Sequence, residues 1–220
     1  LGLGRAGKFH IQSIQSIPGI SLRCVVDVDE SLARRLAKEL ECDYSTDAEG
    51  PLGQADVDAV IVASPTHEHY GQISAALEAG KPVVGFRTST HAFDYPKDNS
   101  LTKWNNGFGS DALGSQYFAH LQGDTSVTLA KGAGDHPILT GINLAEPIAA
   151  AGTLYLADLA QGAQPLLRGT GKAKKPGKKT NRFGTFEIKQ TMTQDVAWTW
   201  KNKWGGRVFC TTLGHKNSFE

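Results

Sequence analysis

The chain has 220 residues, of which 40% are hydrophobic and 20% are charged, and its net charge is +1 at neutral pH. This length is enough for one large domain or two small ones, each with a buried core. The balanced charge excludes a strongly basic surface, so we expect no nucleic-acid partner and no membrane partner. No apolar run reaches transmembrane length and no signal peptide is recognisable, which favours a cytoplasmic protein.

Three glycines at the start of the chain fit the spacing G-x-G-x-x-G: Gly2, Gly4 and Gly7. Glycines at this spacing allow a tight turn, close approach to a pyrophosphate and close helix packing. Asp27 lies about 20 residues beyond the last glycine, the separation at which a carboxylate can bind the ribose hydroxyls of NAD. The pattern therefore predicts a dinucleotide-binding segment.

Helices and apolar strands alternate over the first 80 residues. The periodicity predicts helices over residues 6–16, 30–40 and 66–79 and strands over residues 21–29 and 56–65. Asp29 is the predicted N-cap of the second helix. Because only Leu1 precedes the glycine loop, we expect the loop to be poorly held and NAD(P) to bind weakly.

Residues 1–82 resemble the cofactor domain of the Gfo/Idh/MocA family of NAD(P)-dependent sugar oxidoreductases. The resemblance is carried by the glycine loop, Asp27, the strand ending in Ala63-Ser64-Pro65-Thr66, and the run Glu78-Ala79-Gly80-Lys81. It implies that the glycine loop binds the pyrophosphate and Asp27 the ribose. It also implies contacts to the cofactor from four further residues: Ser64, Pro65, Thr66 and His69.

The resemblance fails where the family carries its catalytic lysine, in a Glu-Lys-Pro motif after the next strand. This chain has Gly85-Phe86-Arg87 at that place. We therefore expect no hydride transfer to a sugar substrate.

A short apolar run, residues 83–86, is followed directly by five polar residues. The run is typical of a strand buried on both faces, and ligands bind at the carboxyl ends of such strands. The polar residues are Arg87, Thr88, Ser89, Thr90 and His91. The sequence thus predicts a site here.

From residue 80 onward the sequence resembles the ThuA-like family, named for trehalose utilisation and related in fold to flavodoxin and the class I glutamine amidotransferases. The matching segments are residues 80–93, 104–109, 136–142, 196–199 and 205–215. The resemblance implies a small sugar or sugar derivative as ligand. An amidotransferase would carry a nucleophilic cysteine after the central strand, where this chain has Arg87 to Thr90, and that chemistry is disfavoured.

Together the two resemblances predict an α/β protein with a mainly parallel open sheet. A Rossmann-like segment, residues 1–82, would continue into a flavodoxin-like segment, residues 83–220, and the two could form one continuous sheet. Within the second segment we predict a helix over residues 110–121 and a mobile, lysine-rich loop over residues 168–182.

Arg87, His91 and His215 are the predicted catalytic residues, with Thr88, Ser89 and Thr90 lining the same pocket. Both histidines follow predicted strands, so parallel strands would bring them to one edge of the sheet. They could transfer a proton or hold a divalent metal. The alternative is that Arg87 pairs with a buried carboxylate and each histidine only closes a loop.

Three functions follow from these patterns. The main prediction is a sugar-processing ThuA-like protein fused to a partial NAD(P)-binding segment. The first alternative is an NAD(P)-dependent sugar oxidoreductase of the Gfo/Idh/MocA type, and the second is a non-catalytic binding or broken hybrid.

Overall fold

The computed structural model of the protein describes residues 1–214. The chain divides into two compact units, Leu1–Pro82 and Val83–Glu220. Among the described residues no helix combines the length and apolar character needed to cross a membrane.

The first unit is built from short parallel strands and helices. Its elements are α1 (Arg5–Ser16), β1 (Cys24–Val26), α2 (Glu30–Leu40), β2 (Asp43–Ser45), α3 (Glu49–Gly53) and α4 (Thr66–Glu78). β1 and β2 pair in parallel. As predicted, Asp29 caps α2, because its carboxylate accepts a hydrogen bond of 3.0 Å from the Leu32 amide. One face of α2 buries Ala33 and Ala37 in an apolar cluster with Leu3 and Val25.

The strand predicted over residues 56–65 is not formed as a regular strand. Only its last residues pair: the Leu1 amine donates to the Ile61 carbonyl (2.7 Å) and the Ala63 amide donates to the Leu1 carbonyl (2.8 Å). A strand is defined by continuous pairing with a neighbour, and here the neighbouring segment begins at Leu1. The segment before Ile61 therefore has no ladder in the described structure.

The second unit is mostly β-structure. Its strands are β3 (Val83–Phe86), β4 (Ser115–His120), β5 (Thr125–Leu129), β6 (Ile148–Ala150), β7 (Tyr155–Leu159), β8 (Gln164–Lys172), β9 (Gly177–Asn181), β10 (Gly184–Ile188), β11 (Thr191–Lys201) and β12 (Arg207–Thr211). The helix α5 (Trp104–Phe108) continues into a short π-helix, Gly109–Leu113, and 3₁₀ turns cover Arg87–His91 and Pro137–Leu139.

Six of these strands form one mixed sheet in the order β3-β12-β11-β8-β5-β6. Only β3 and β12 pair in parallel, and the other neighbours are antiparallel. The prediction of a mainly parallel, flavodoxin-like second half is therefore not supported. β3 lies at the edge of the sheet, and the face that carries Val84 and Phe86 is uncovered, so these side chains are 59% and 58% exposed. The expectation that this strand is buried on both faces was wrong for that reason.

Two further predictions for this unit are wrong. Residues 110–121 are not a helix, because Gly114, at a φ of +72°, ends the π-helix and β4 follows at once. Residues 168–182 are not an irregular loop, because they complete β8 and then form β9, which pairs with β10 in a hairpin. The lysines in this stretch are exposed, as their composition indicated, but exposure did not prevent backbone pairing.

The core of the second unit centres on β11. Trp198 is fully buried, and its indole N–H donates to the Leu113 carbonyl at 2.8 Å. Val196 on the same strand packs with Leu154, Leu156 and Ile188. These contacts fix β11 between β8 and β12.

Candidate functional site

The glycine loop of the first unit is held on both sides by backbone hydrogen bonds. The Gly2 amide donates to the Val26 carbonyl of β1 at 2.8 Å. On the other side, Leu1 pairs with Ile61 and Ala63. Leu1 to Leu3 therefore occupy the central place in the row of parallel segments, with β1 and then β2 on one side and residues 61–63 on the other. The expectation that nothing holds the loop was wrong, because three residues suffice to pair with both neighbours.

Two of the three glycines are required by close contacts within the fold, and the third is not. Gly2 has a φ of +84°, and a Cβ atom there would lie 2.5 Å from the Ser64 backbone nitrogen. A Cβ atom on Gly7 would lie 2.0 Å from the Gly2 carbonyl oxygen. Gly4 differs, since a Cβ atom there would meet nothing within 4 Å. Open space at the middle glycine is what a ligand approaching the backbone needs.

The helix α1 begins directly after this open position. Gly4 is its N-cap, no side chain caps the helix start, and the first turn has no acidic residue. The first amides of a helix have no partner within the helix and carry a partial positive charge. The loop and the start of this 12-residue helix together suit a pyrophosphate.

Asp27 lies next to the loop, at the end of β1. Its Oδ2 accepts a hydrogen bond of 2.7 Å from the Leu3 amide, and its Oδ1 accepts one of 3.0 Å from the Asp29 amide. Each carboxylate oxygen can accept more than one hydrogen bond. The carboxylate is thus fixed in orientation, and its oxygens can still accept hydrogen bonds from ribose hydroxyls.

The residues after Ile61 form the other wall of the loop. The Ser64 backbone lies against Gly2, as the hypothetical Cβ contact shows. The Ser64 hydroxyl donates to the Gln72 side chain at 2.7 Å, and Nε2 of His69 lies 2.8 Å from the Ser64 carbonyl oxygen. Pro65 and Thr66 form the start of α4. These contacts fix the wall, and the structure places Ser64, the glycines and Asp27 close together.

A cavity of about 620 Å³ in this unit borders the glycine loop, since Gly2 and Gly7 are among its lining residues. It is lined mainly by residues 1–3, 19–26 and 56–61 and by the inner face of α1. Residues 19–23 precede β1 and residues 56–60 precede the paired end at Ile61, so most of the cavity lies toward the amino ends of the parallel segments. Dinucleotides bind at the opposite, carboxyl ends, and we do not assign this cavity to the cofactor.

Lys81 is engaged within the first unit. Its ammonium donates to the carbonyl oxygens of Gln54 (2.8 Å) and Val57 (2.6 Å). This lysine therefore fixes the segment after α3.

In the second unit, Arg87 is held by the protein. One terminal nitrogen donates to the carbonyl oxygens of Thr153 and Thr212, both at 3.1 Å, and the other donates to the Thr153 hydroxyl at 2.8 Å. The guanidinium carbon lies 4.2 Å from the centre of the Tyr155 ring. In the structure the Arg87 guanidinium contacts threonine oxygens and a tyrosine ring. It therefore neither points its donors at a free substrate site nor pairs with a buried carboxylate, the two predictions made for it.

His91 lies beside the same tyrosine. Its ring stacks on Tyr117, with centroids 4.1 Å apart, and lies 5.6 Å from Tyr155. Burial, the largest cause, and then the positive charges of Arg182 and Arg87 and the neighbouring His120 lower the pKa of His91. Arg87 and His91 thus meet at Tyr155. His215, the third predicted member, lies outside the described residues.

The three residues between Arg87 and His91 differ in exposure. Thr88 is exposed, Ser89 is half-buried and Thr90 is buried. Within residues 1–214 no group of three or more His, Cys, Asp or Glu side chains could hold a metal ion, so the expected divalent metal is not supported.

Comparison with known proteins shows similarity over the first 85 residues. Residues 1–85 match the model of the GFO_IDH_MocA family, described as an oxidoreductase family with an NAD-binding Rossmann fold. The scyllo-inositol 2-dehydrogenase (NAD(+)) of Bacillus subtilis is 39% identical over 85 residues, which are 38% of this chain and 25% of that protein. Inositol 2-dehydrogenase 1 of Saccharopolyspora erythraea is 37% identical over 87 residues, covering 38% and 26%. Residues 1–85 are therefore similar to the NAD-binding Rossmann domain of that family.

The chain spans about a quarter of the length of these curated relatives. A solved structure of scyllo-inositol dehydrogenase from Lactobacillus casei, with bound NAD(H) and scyllo-inositol, aligns with a TM-score of 0.38 at 16% identity. That alignment covers 85% of this chain and 80% of the other.

These matches overturn the main functional prediction. The curated relatives described above are named as inositol dehydrogenases, and neither they nor the matching family model supports a ThuA-like segment or its trehalose and amidotransferase associations. They favour instead the first alternative, an NAD(P)-dependent oxidoreductase.

Proposed function

We propose that the protein binds NAD(H) through its first unit and belongs functionally with the oxidoreductases that act on a hydroxyl group of a cyclic polyol. The observation that carries this proposal is the glycine loop. Close contacts within the fold leave no room for a side chain at Gly2 or Gly7, whereas Gly4 faces open space at the start of α1. Open space at Gly4 leaves room for a ligand to approach the backbone amides at the helix start.

The residues suggest how the dinucleotide lies. The pyrophosphate would accept hydrogen bonds from the amides at Gly4 and the first turn of α1. The Asp27 carboxylate would accept hydrogen bonds from the ribose hydroxyls, and its negative charge would repel the 2′-phosphate of NADP. Ser64, Pro65, Thr66 and His69 would form the opposite wall.

The polyol substrate is suggested by the relatives, since their names specify inositol and scyllo-inositol. NAD⁺ accepts a hydride from the carbon of a secondary alcohol, and a base must take the hydroxyl proton. This chain has Gly85-Phe86-Arg87 where the family carries its lysine, so the proposed reaction requires another group to take that proton.

Calorimetry on two glycine variants tests the cofactor half of the proposal. Gly4→Ala adds a methyl group where the fold has open space, so it should leave stability nearly unchanged and weaken NAD⁺ binding by about tenfold or more. Gly50→Ala, in α3, also adds a methyl group in open space and should leave binding unchanged. Equal binding by both variants would contradict the proposed pyrophosphate site.

The oxidoreductase half requires a separate measurement. Formation of NADH from NAD⁺ and myo- or scyllo-inositol by the purified chain would support it and would overturn the prediction drawn from the missing lysine. Saturable NAD⁺ binding without NADH formation from either inositol would contradict turnover by this chain and leave cofactor binding standing.

A further inference from the structure

An irregularity in β4 brings two titratable side chains of the second unit together. β4 pairs with β7, and the register shifts between Tyr117 and Ala119, which marks a bulge at Phe118. In a regular strand, residues three apart point to opposite faces. The extra residue reverses this alternation, so that the Tyr117 hydroxyl lies 2.6 Å from Nδ1 of His120.

The pair lies in a cluster of rings, which we call the β4 ring cluster: His91, Tyr117, His120, Tyr155 and Phe183. Tyr117 contacts every other member, with centroid distances from 4.1 to 6.1 Å. Tyr117 is only 8% exposed and Tyr155 only 7%. His120, by contrast, is exposed to solvent, and His91 is half-buried. The cluster is therefore reached from solvent through its histidines.

The protonation of the pair follows from its surroundings. Burial, followed by the neighbouring Tyr155, raises the pKa of Tyr117 to about 12, so the phenol keeps its proton. Among the described residues, Nδ1 of His120 is the acceptor within reach of that proton. Although His120 is exposed as a residue, partial burial of its ring, the largest cause, and then the positive charges of Arg87 and Lys179 lower the pKa of His120, so its ring is neutral near neutral pH. With Nδ1 accepting, the ring proton is on Nε2, which is thereby a hydrogen-bond donor.

Cations predominate among the charged groups that act on the two histidines. Arg87 and Arg182 lower the pKa of His91, and Arg87 and Lys179 lower that of His120. One of these cations, Arg182, forms an ion pair with Asp94. The cluster therefore presents N–H donors in a positive local potential.

The hairpin of β9 and β10 holds two of these cations in place. The Asn181 side chain at the hairpin turn donates to the Phe118 carbonyl at the bulge, at 2.7 Å. Phe183 packs edge-on against Tyr117, with centroids 5.4 Å apart. Lys179 and Arg182 are exposed on this hairpin. The bulge, the ring cluster and the hairpin cations are thus one connected assembly.

We propose that the β4 ring cluster is an anion-binding site, in which His120 and His91 meet a small carboxylate or phosphate whose charge is balanced by Lys179 and Arg182. The site belongs to the second unit alone and is independent of the proposed NAD(H) binding. In this proposal, the lysine-rich strand β9 of the hairpin helps to bind a small anion. Donors already oriented by the bulge require little reorganisation when the anion binds.

Titration with two probes, inorganic phosphate and acetate, at constant ionic strength and near neutral pH tests this site. We expect the ring C–H resonances of His91 and His120 to shift saturably with at least one probe, and the stronger probe identifies the anion class. The His136 resonances, in the 3₁₀ turn after β5, should not follow the same curve. Absence of a saturable shift at both cluster histidines with both probes would overturn the proposal.

Two variants with a matched control separate a built site from general attraction of anions. Lys179→Gln should weaken binding of the stronger probe by about tenfold, as expected for loss of one charged contact. Tyr117→Phe keeps the ring but removes the hydroxyl that orients His120, and it should also weaken binding. Lys131→Gln removes an exposed charge after β5 and should have no effect. An equal loss in Lys179→Gln and Lys131→Gln would overturn the site.

Discussion

The carboxylate of Asp27 accepts a hydrogen bond of 2.7 Å from the backbone amide of Leu3. This bond joins the end of β1 to the glycine loop. The carboxylate proposed for ribose binding and the loop proposed for pyrophosphate binding therefore move as one piece. Such mutual fixation reduces the conformational cost of binding an extended ligand.

Asp27→Asn should affect both stability and cofactor binding. The amide can replace one acceptor oxygen, but it supplies an NH₂ group where the other backbone amide needs an acceptor. We expect the first unit to lose about 1–3 kcal/mol of unfolding free energy in urea denaturation, and NAD⁺ affinity to fall. Asp58→Asn, at an exposed position in the same unit, is the control and should change neither quantity.

Gly7→Ala should destabilise the first unit. Its methyl group would lie 2.0 Å from the Gly2 carbonyl oxygen, so the helix must move away from the loop. Overpacking against backbone costs about 1–3 kcal/mol. Urea unfolding of Gly7→Ala beside Gly4→Ala checks this, since the second substitution meets open space. Equal stabilities would contradict the close packing of the loop on α1.

Arg87 should resist even conservative replacement. It adopts a left-handed backbone conformation with a φ of 49°, which costs a residue with a side chain about 1–2 kcal/mol. Its guanidinium contacts to Thr153 and Thr212 offset that cost. Lysine keeps the backbone cost but lacks the fork, so Arg87→Lys should lower the unfolding free energy by about 1–3 kcal/mol.

Arg87→Gly provides the matched comparison, because glycine removes the same contacts but adopts this conformation without strain. In denaturant unfolding, the Arg87→Gly variant should have a higher unfolding free energy than Arg87→Lys, provided that the aliphatic part of the lysine adds little packing. A lysine variant as stable as the wild type would show that the three hydrogen bonds contribute nothing.

The stability of the second unit should decrease below the ordinary pKa of histidine. His91 and His120 both have a pKa below 6.5 in the folded protein. As the pH falls through 6.5, the unfolded chain takes up protons that the folded chain does not, so the unfolding free energy falls with pH. Urea unfolding at a series of pH values should show this slope, and the double variant His91→Gln, His120→Gln should reduce it. An identical slope in that variant would contradict the assignment.

Elements that depend on local signals could be predicted from the sequence. α2 follows from the cap at Asp29 and α1 from the glycine loop before it. The exposure of β3 could not be predicted, because it depends on which strand pairs at the edge of the sheet. β4 was mistaken for a helix because Leu113, Tyr117 and Leu121 are spaced as on one face of a helix, while the bulge at Phe118 interrupts the alternation of the strand. Its aromatic residues favour a strand.

The two candidate sites differ in how far the sequence could reveal them. Gly2, Gly4, Gly7 and Asp27 follow a fixed spacing that one supersecondary unit imposes, and the structure brings them together. The Tyr117–His120 pair depends on a bulge, and no spacing rule gives its position in advance. Tyr155 joins the cluster through strand pairing, opposite His120, and Phe183 through the hairpin.

Chemical-shift mapping with NAD⁺ tests the central claim most directly, because it locates binding residue by residue. We predict saturable shifts that are largest at the amides of residues 2–7 and at Asp27, with smaller shifts at residues 64–69. Gly4→Ala should reduce them and Gly50→Ala should not. Saturable shifts centred outside these segments, or no saturable shift within them, would contradict the assignment of the glycine loop as the dinucleotide site.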